Sequence, residues 1–189
     1  GCWQNSILGD QIMALTKISE ETASGSASID FTTGIDSTYK LFIFKYINIH
    51  PATDAQNFGF QGNASGQSGY NEVMTTTAWN CFHTESDSST GVQYQNGEDQ
   101  AQGTALQPLC NDLSNDADSG ACGDLLLFNP SNTTYVKQFT ARTQMMNTGP
   151  ATQDWYMAGY FNVTAAITQI QFKMASGNID AGTIQMWGL

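Results

Sequence analysis

The residues best suited to chemistry are four aspartates in one acidic segment, residues 111–124 (NDLSNDADSGACGD): Asp112, Asp116, Asp118 and Asp124. Carboxylate oxygens on a flexible loop are the ligands that Ca²⁺ prefers, so the segment is a weak calcium candidate. Its spacing lacks the D-x-[DN]-x-[DN]-G frame and the distal glutamate of an EF-hand loop. A solvated acidic loop is the simpler explanation. We therefore expect no cofactor, with Ca²⁺ as the one ion left open.

Catalytic groupings are weak elsewhere in the chain. Cys81, His83 and Glu85 would share one face of a strand, but nothing in the local sequence builds an oxyanion hole. No G-x-S-x-G motif occurs. A glycosidase needs two carboxylates across a cleft, and the sequence does not place any such pair. We predict a protein that is not an enzyme.

The four cysteines are Cys2, Cys81, Cys110 and Cys122. Four cysteines allow three fully paired connectivities, and sequence cannot choose among them. Cys110 and Cys122 bracket a loop rich in Asp, Ser, Asn and Gly and form the most plausible local disulfide, with reduced buried thiols as the alternative. No spacing is C-x-x-C and the chain has two histidines, so a zinc site is not expected.

Tryptophan and tyrosine side chains offer flat surfaces for sugar rings; the candidates are Trp3, Trp79, Trp155, Trp187, Tyr70, Tyr94, Tyr156 and Tyr160. In all-β folds such residues more often belong to the core or to subunit contacts. We therefore favour core and interface roles and keep glycan binding as the alternative.

The elements that must position these residues are short strand-like runs, separated by clusters of Gly, Asn, Asp and Ser. Residues 39–49 (YKLFIFKYINI) are apolar on both faces, which is typical of a central strand whose second face is also covered. Residues 167–174 alternate apolar and polar side chains, as in a half-buried strand. Nine or ten such strands predict an all-β sandwich of jelly-roll type. The predicted core includes Phe42, Ile43, Phe44, Leu126, Phe172 and Met174.

Residues 1–12 (GCWQNSILGDQI) precede Met13 and read as an N-terminal arm or leader, followed by one domain over residues 13–189. The arm carries Trp3, Ile7, Leu8 and Ile12. Burying such a side chain is worth about 1.5–3 kcal/mol, so we expect the arm to dock against a neighbouring subunit or particle.

The chain has few charged residues, and most of those are acidic. Six Lys and Arg against 17 Asp and Glu give a net charge of -11, and 66 of the 189 residues are Ser, Thr, Asn or Gln. Non-specific binding to nucleic acid requires cations that displace counterions from phosphates, so we do not expect that function. Attraction to anionic membranes is excluded for the same reason.

Seven stretches, read together, resemble one family: DSTY at 36–39, NIHPATD at 48–54, DQAQGT at 99–104, LFNPSNTTYVK at 127–137, AGYF at 158–161, IQFKMASGNI at 170–179 and GTI at 182–184. The family is that of small virion structural proteins of tailed bacteriophages, especially aquatic and cyanobacterial phages. The resemblance spans nearly all of residues 13–189. It implies a virion location and a capsid-decoration or fibre role, and it brings no catalytic residues.

These observations predict a non-enzymatic virion structural protein on the particle exterior that decorates or cements the capsid. The alternative is a carbohydrate-binding fibre module that recognises a receptor. The expected partners are further copies of the chain, arranged as a trimer, and the major capsid protein or other virion proteins. No nucleic acid or membrane partner is expected, and a glycan is left open.

Overall fold

The computed structural model describes residues 14–189, which form thirteen β-strands and no helix. The strands are β1 Thr16–Thr22, β2 Ile29–Phe31, β3 Leu41–Pro51, β4 Gln56–Ala64, β5 Met74–Thr84, β6 Thr90–Tyr94, β7 Ala101–Gly103, β8 Gln107–Leu113, β9 Ala121–Phe128, β10 Lys137–Asn147, β11 Ala151–Phe161, β12 Ile167–Met174 and β13 Ile179–Gly188. Over this range, no helical segment with the length and apolar character of a membrane span is found. The predicted arm, with Trp3, Ile7, Leu8 and Ile12, lies outside the described residues.

The strands form one antiparallel hydrogen-bonded network that folds into two layers. The larger layer has the order β1-β13-β3-β9-β10-β11-β5-β6, and β7 also pairs with β5. The smaller layer has the order β2-β12-β4-β8. The two are joined where β8 meets β10 at a single residue pair, Leu113 and Asn147. The chain is therefore an all-β sandwich, nearly closed at one side, as its strand pattern predicts.

Aromatic rings from both layers fill the space between the sheets. Phe42, Phe44 and Tyr46 alternate along β3 and are fully buried. Phe172 of β12 faces them, with its ring centroid 5.6 Å from that of Phe44. Period-two alternation thus places one face of each strand in a shared core.

Four of the six predicted core residues are buried: Phe42, Phe44, Phe172 and Met174. The prediction is wrong for Ile43 and Leu126. These two side chains are half-buried and directly opposite each other on β3 and β9, on the outer face of the larger layer. The reason is geometric, because Ile43 lies between two inward-facing phenylalanines and must point outward. The second face of β3 has no cover within residues 14–189.

Candidate functional site

The outer face of the larger layer carries an unbroken row of side chains across eight strands. Cross-strand partners run in the order Tyr94, Trp79, Tyr156, Arg142, Asp124, Lys45, Gln185, Glu20. Directly opposed residues on one face of a sheet interact, so this row is a continuous surface feature. We call its first four members, Tyr94, Trp79, Tyr156 and Arg142, the aromatic ridge.

Flat groups in the ridge are packed against one another. The Trp79 and Tyr156 rings lie face to face, with centroids 4.1 Å apart and planes inclined by 5°. The guanidinium carbon of Arg142 lies 5.1 Å from the centroid of the Tyr156 ring, within the range of a cation–π contact. The ridge remains accessible, since Trp79 is 39% exposed and Tyr94 is 52% exposed.

A bidentate ion pair with Asp154 fixes two members of the ridge, Arg142 and Tyr156. Arg142 Nη2 donates to Asp154 Oδ2 at 2.7 Å and Arg142 Nε donates to Asp154 Oδ1 at 3.0 Å. The hydroxyl of Tyr156 also donates to Asp154 Oδ2, at 3.0 Å. Paired hydrogen bonds of this kind set orientation as well as energy. The side chains are therefore held in place before any partner arrives.

The same contacts shift the ionisation of the groups. The hydrogen bond from Arg142 lowers the pKa of Asp154, and the hydrogen bond to that carboxylate raises the pKa of Tyr156. A carboxyl with a lowered folded-state pKa contributes stability that is present above its unfolded value of about 3.9 and is lost as the pH falls through the folded value. The ion pair therefore persists at neutral pH and breaks only in strong acid.

Shallow depressions flank the ridge on both sides. One, of about 500 Å³, is walled by Trp79, Tyr156 and Arg142 and lined also by Thr77 and Leu126. The other, of about 440 Å³, lies on the side of Asp154, Gln144 and Cys122. Together the ridge and its two depressions offer flat apolar surface and one positioned ion pair. This combination is suited to binding another molecule.

The four predicted calcium ligands are not gathered in one place. Asp112 accepts a hydrogen bond from Thr148 Oγ1 at 2.8 Å, and Asp124 lies in the cross-strand row, 4.0 Å from Lys45 Nζ. Asp118 lines a separate depression, and Asp116 contributes its main-chain oxygen to a contact with His50. Across the described part of the chain, no group of three or more His, Cys, Asp or Glu residues could hold a metal ion.

The three described cysteines are free thiols. Cys110 is buried in β8, where burial raises the pKa of its thiol to about 12. Cys122 lies on the outer face of β9, and its Sγ accepts a hydrogen bond from the Asn48 amide at 3.2 Å. The Cys110–Cys122 disulfide left open by the sequence is not formed in this structure, because one thiol faces the core and the other the outer surface.

Neither the ridge nor its ion pair was predicted from the sequence. Trp79, Tyr94 and Tyr156 are among the aromatic candidates, but Arg142 and Asp154 are not. The sequence does indicate which residues point outward, because apolar and polar side chains alternate along the strands of the larger layer. Register between strands distant in sequence decides which outward residues meet, and alternation does not give this register.

His83, from the weak catalytic grouping, contacts exposed Asp87 at 2.9 Å.

No family model, curated protein or solved structure matches the chain. The resemblance to virion proteins of tailed phages therefore stays a prediction.

Proposed function

We propose that this chain is a non-enzymatic structural protein of a virion exterior, which docks on neighbouring virion proteins through its aromatic ridge and so decorates or cements the capsid. The observation that carries the proposal is the exposed grouping of Trp79, Tyr94, Tyr156 and Arg142. Stacking, the ion pair and a hydrogen bond from the Tyr94 hydroxyl to Asp99 hold these side chains in place. Tryptophan, tyrosine and arginine dominate the binding energy of protein interfaces. Side chains that are already ordered lose less entropy when a partner binds.

The charge balance supports an exterior position. The chain has six cations and 17 carboxylates, whereas a protein lining the packaged genome would need lysine and arginine to contact phosphate. The virion location itself is inferred from the resemblance described above.

We infer that eight of the thirteen strands form a jelly roll to which the other five strands have been added. When β5–β7 and β10–β11 are left out, eight strands remain, and numbered in chain order they follow 1-8-3-6 in one sheet and 2-7-4-5 in the other. That order corresponds to two Greek keys, as in jelly-roll folds of capsid proteins. The five strands left out are two insertions that extend the larger sheet and carry all four residues of the ridge.

We further propose that the chain self-associates, as a trimer, through the outer face of β13, β3 and β9. Apolar side chains remain on this face: Ile43 and Leu126 lie opposite each other, Ile47 is 42% exposed and Phe128 is 38% exposed. The threefold arrangement is an analogy with other virion jelly rolls.

Self-association is tested by analytical ultracentrifugation of the full chain. We expect a trimer, and we expect Ile43→Asp to sediment as a monomer because a carboxylate would be buried against apolar side chains. Val92→Asp, at a site 73% exposed on β6, serves as the matched control and should remain trimeric. A wild-type chain that stays monomeric at all concentrations would rule the proposal out.

The docking role is tested with purified phage particles whose genome encodes this chain. Antibodies against the chain should label the heads of purified particles, and Trp79→Ala should weaken rebinding to depleted particles by roughly thirtyfold, the loss expected for a hot-spot side chain worth about 2 kcal/mol. Tyr135→Ala removes an aromatic side chain that is 68% exposed and outside the ridge, and should bind as the wild type does. Absence of label from particles, or equal binding by Trp79→Ala, would refute the docking role.

The carbohydrate-binding fibre module is the second candidate function. It is favoured by a cleft lined with amide side chains on the opposite side of the sheet from the ridge. Label confined to tail tips would favour this candidate over capsid decoration.

A further inference from the structure

An uncharged polar cleft lies on the inner face of the larger layer, where β5, β6 and β11 extend beside β8. It has a volume of about 240 Å³. Six carboxamide side chains line it: Asn80, Gln93, Gln95, Asn111, Asn147 and Gln153. No Asp, Glu, Lys or Arg is among its lining residues, and Phe82 contributes one aromatic ring.

Hydrogen bonds between the deepest amides fix which atom each one presents. Asn80 Nδ2 donates to Gln153 Oε1 at 2.9 Å, and Gln95 Nε2 donates to Asn80 Oδ1 at 2.8 Å. The buried indole of Trp155 donates to the same Gln153 oxygen at 2.8 Å. Gln153 is only 9% exposed, yet within residues 14–189 its Nε2 donates to no partner. A buried polar side chain with a free donor is thus held at the cleft.

Neighbouring amides are held in a similar way. Asn111 Nδ2 donates to Glu98 Oε1 at 3.1 Å, and Asn147 Oδ1 accepts from the Ala151 amide at 3.1 Å. These contacts leave the Asn111 oxygen and the Asn147 nitrogen for a ligand. The cleft therefore presents positioned donors and acceptors together, at little entropic cost on binding.

We propose that this cleft binds one neutral sugar residue of a glycan. Each sugar hydroxyl both donates and accepts a hydrogen bond, which matches carboxamides that offer one of each. The lining has no cation to neutralise a phosphate or carboxylate, and the net charge of -11 opposes anionic ligands. The volume suits a single pyranose ring, and Phe82 provides a surface for its C–H groups. The inference deepens the second candidate function and does not depend on docking through the ridge.

The test is saturation-transfer NMR on the full chain with methyl glycosides of neutral hexoses and N-acetylhexosamines, beside sialylated counterparts. We expect at least one neutral glycoside to bind and the sialylated probes not to bind. Gln93→Ala combined with Gln95→Ala should weaken binding roughly tenfold or more, as expected for lost hydrogen bonds of about 1 kcal/mol each. Gln93 lies on β6 and is exposed, and Gln95 directly follows β6 and is half-buried, so alanine at these two positions does not open the core. We call the double substitution the β6 variant.

Gln138→Ala is the matched control, because it removes an exposed amide from the outer face of β10. It should bind the glycoside as the wild type does. Failure of every neutral probe to bind, unchanged binding by the β6 variant, or preference for the sialylated probes would overturn the inference. Loss of sugar binding in Trp79→Ala with retention in the β6 variant would place the sugar at the ridge and would also overturn it.

Discussion

Replacement of Phe172 by alanine is expected to lower the free energy of unfolding by about 3–5 kcal/mol, the cost of deleting a fully buried aromatic ring. Phe172 is 0% exposed. Its ring centroid lies between 5.6 and 6.4 Å from those of five other rings, Phe31, Phe44, Tyr46, Phe58 and Phe60. These rings come from both layers, so the cavity would lie where the two sheets pack together. Urea denaturation followed by circular dichroism measures the loss.

Tyr135→Ala is the control for this prediction. Tyr135 lies in the segment before β10, outside the proposed self-association face, and is 68% exposed, so its removal leaves little cavity. We expect a loss of about 1 kcal/mol or less, within the range of surface substitutions. If both variants lose the same stability, Phe172 is not the centre of the core.

Much of the core could be predicted because it depends on the spacing of residues within single strands. Phe42 and Phe44 in β3, and Phe172 and Met174 in β12, follow an alternation that reads directly from the sequence. Ile43 was misplaced because β3 is apolar on both faces, and local pattern alone cannot separate an inner face from an outer one. Hydrophobicity indicates which residues tend to be buried, whereas the face of β3 that is buried is the one against which the smaller layer packs.

Three strands escaped prediction: β7 (AQG) is only three residues long, and β1 and β8 lack a strand signal in their own sequences. β8 (QPLCNDL) contains a proline and an Asn-Asp pair and alternates poorly. Its pairing with β4 is irregular, and it meets β10 at one residue pair. β1 (TKISEET) is exposed on most of its length at the edge of the sheet. Tertiary hydrogen bonds rather than intrinsic preference set β1 and β8.

The sites were harder to predict than the core, because each is assembled across strands. The ridge joins residues from β6, β5, β11 and β10, and the amide cleft joins side chains from the same insertions to β8. Glutamine and asparagine are abundant throughout this chain, so no single amide stands out in the sequence. Only the pairing register brings Asn80, Gln93 and Gln153 onto one face.

Lys137 has a role that its position at the start of β10 does not suggest. Its side chain is 0% exposed, and its ammonium donates to three main-chain oxygens: Tyr135 at 2.6 Å, Thr164 at 3.1 Å and Val163 at 3.2 Å. One acceptor lies in the segment before β10 and two lie between β11 and β12. A buried cation surrounded by carbonyl oxygens thus ties two loops together at one end of the sandwich.

Lys137→Met is expected to lower the free energy of unfolding by about 3–5 kcal/mol, although methionine fills nearly the same volume. The substitution leaves three carbonyl oxygens without their donor, and each hydrogen bond to a charged group contributes about 1.5–3 kcal/mol. The measurement is the same urea titration used for Phe172→Ala. Lys40→Met, at an exposed lysine just before β3, should change stability by no more than about 0.5 kcal/mol. Near-equal stability of the two variants would show that packing of the aliphatic stem, rather than the carbonyl contacts, is what Lys137 contributes.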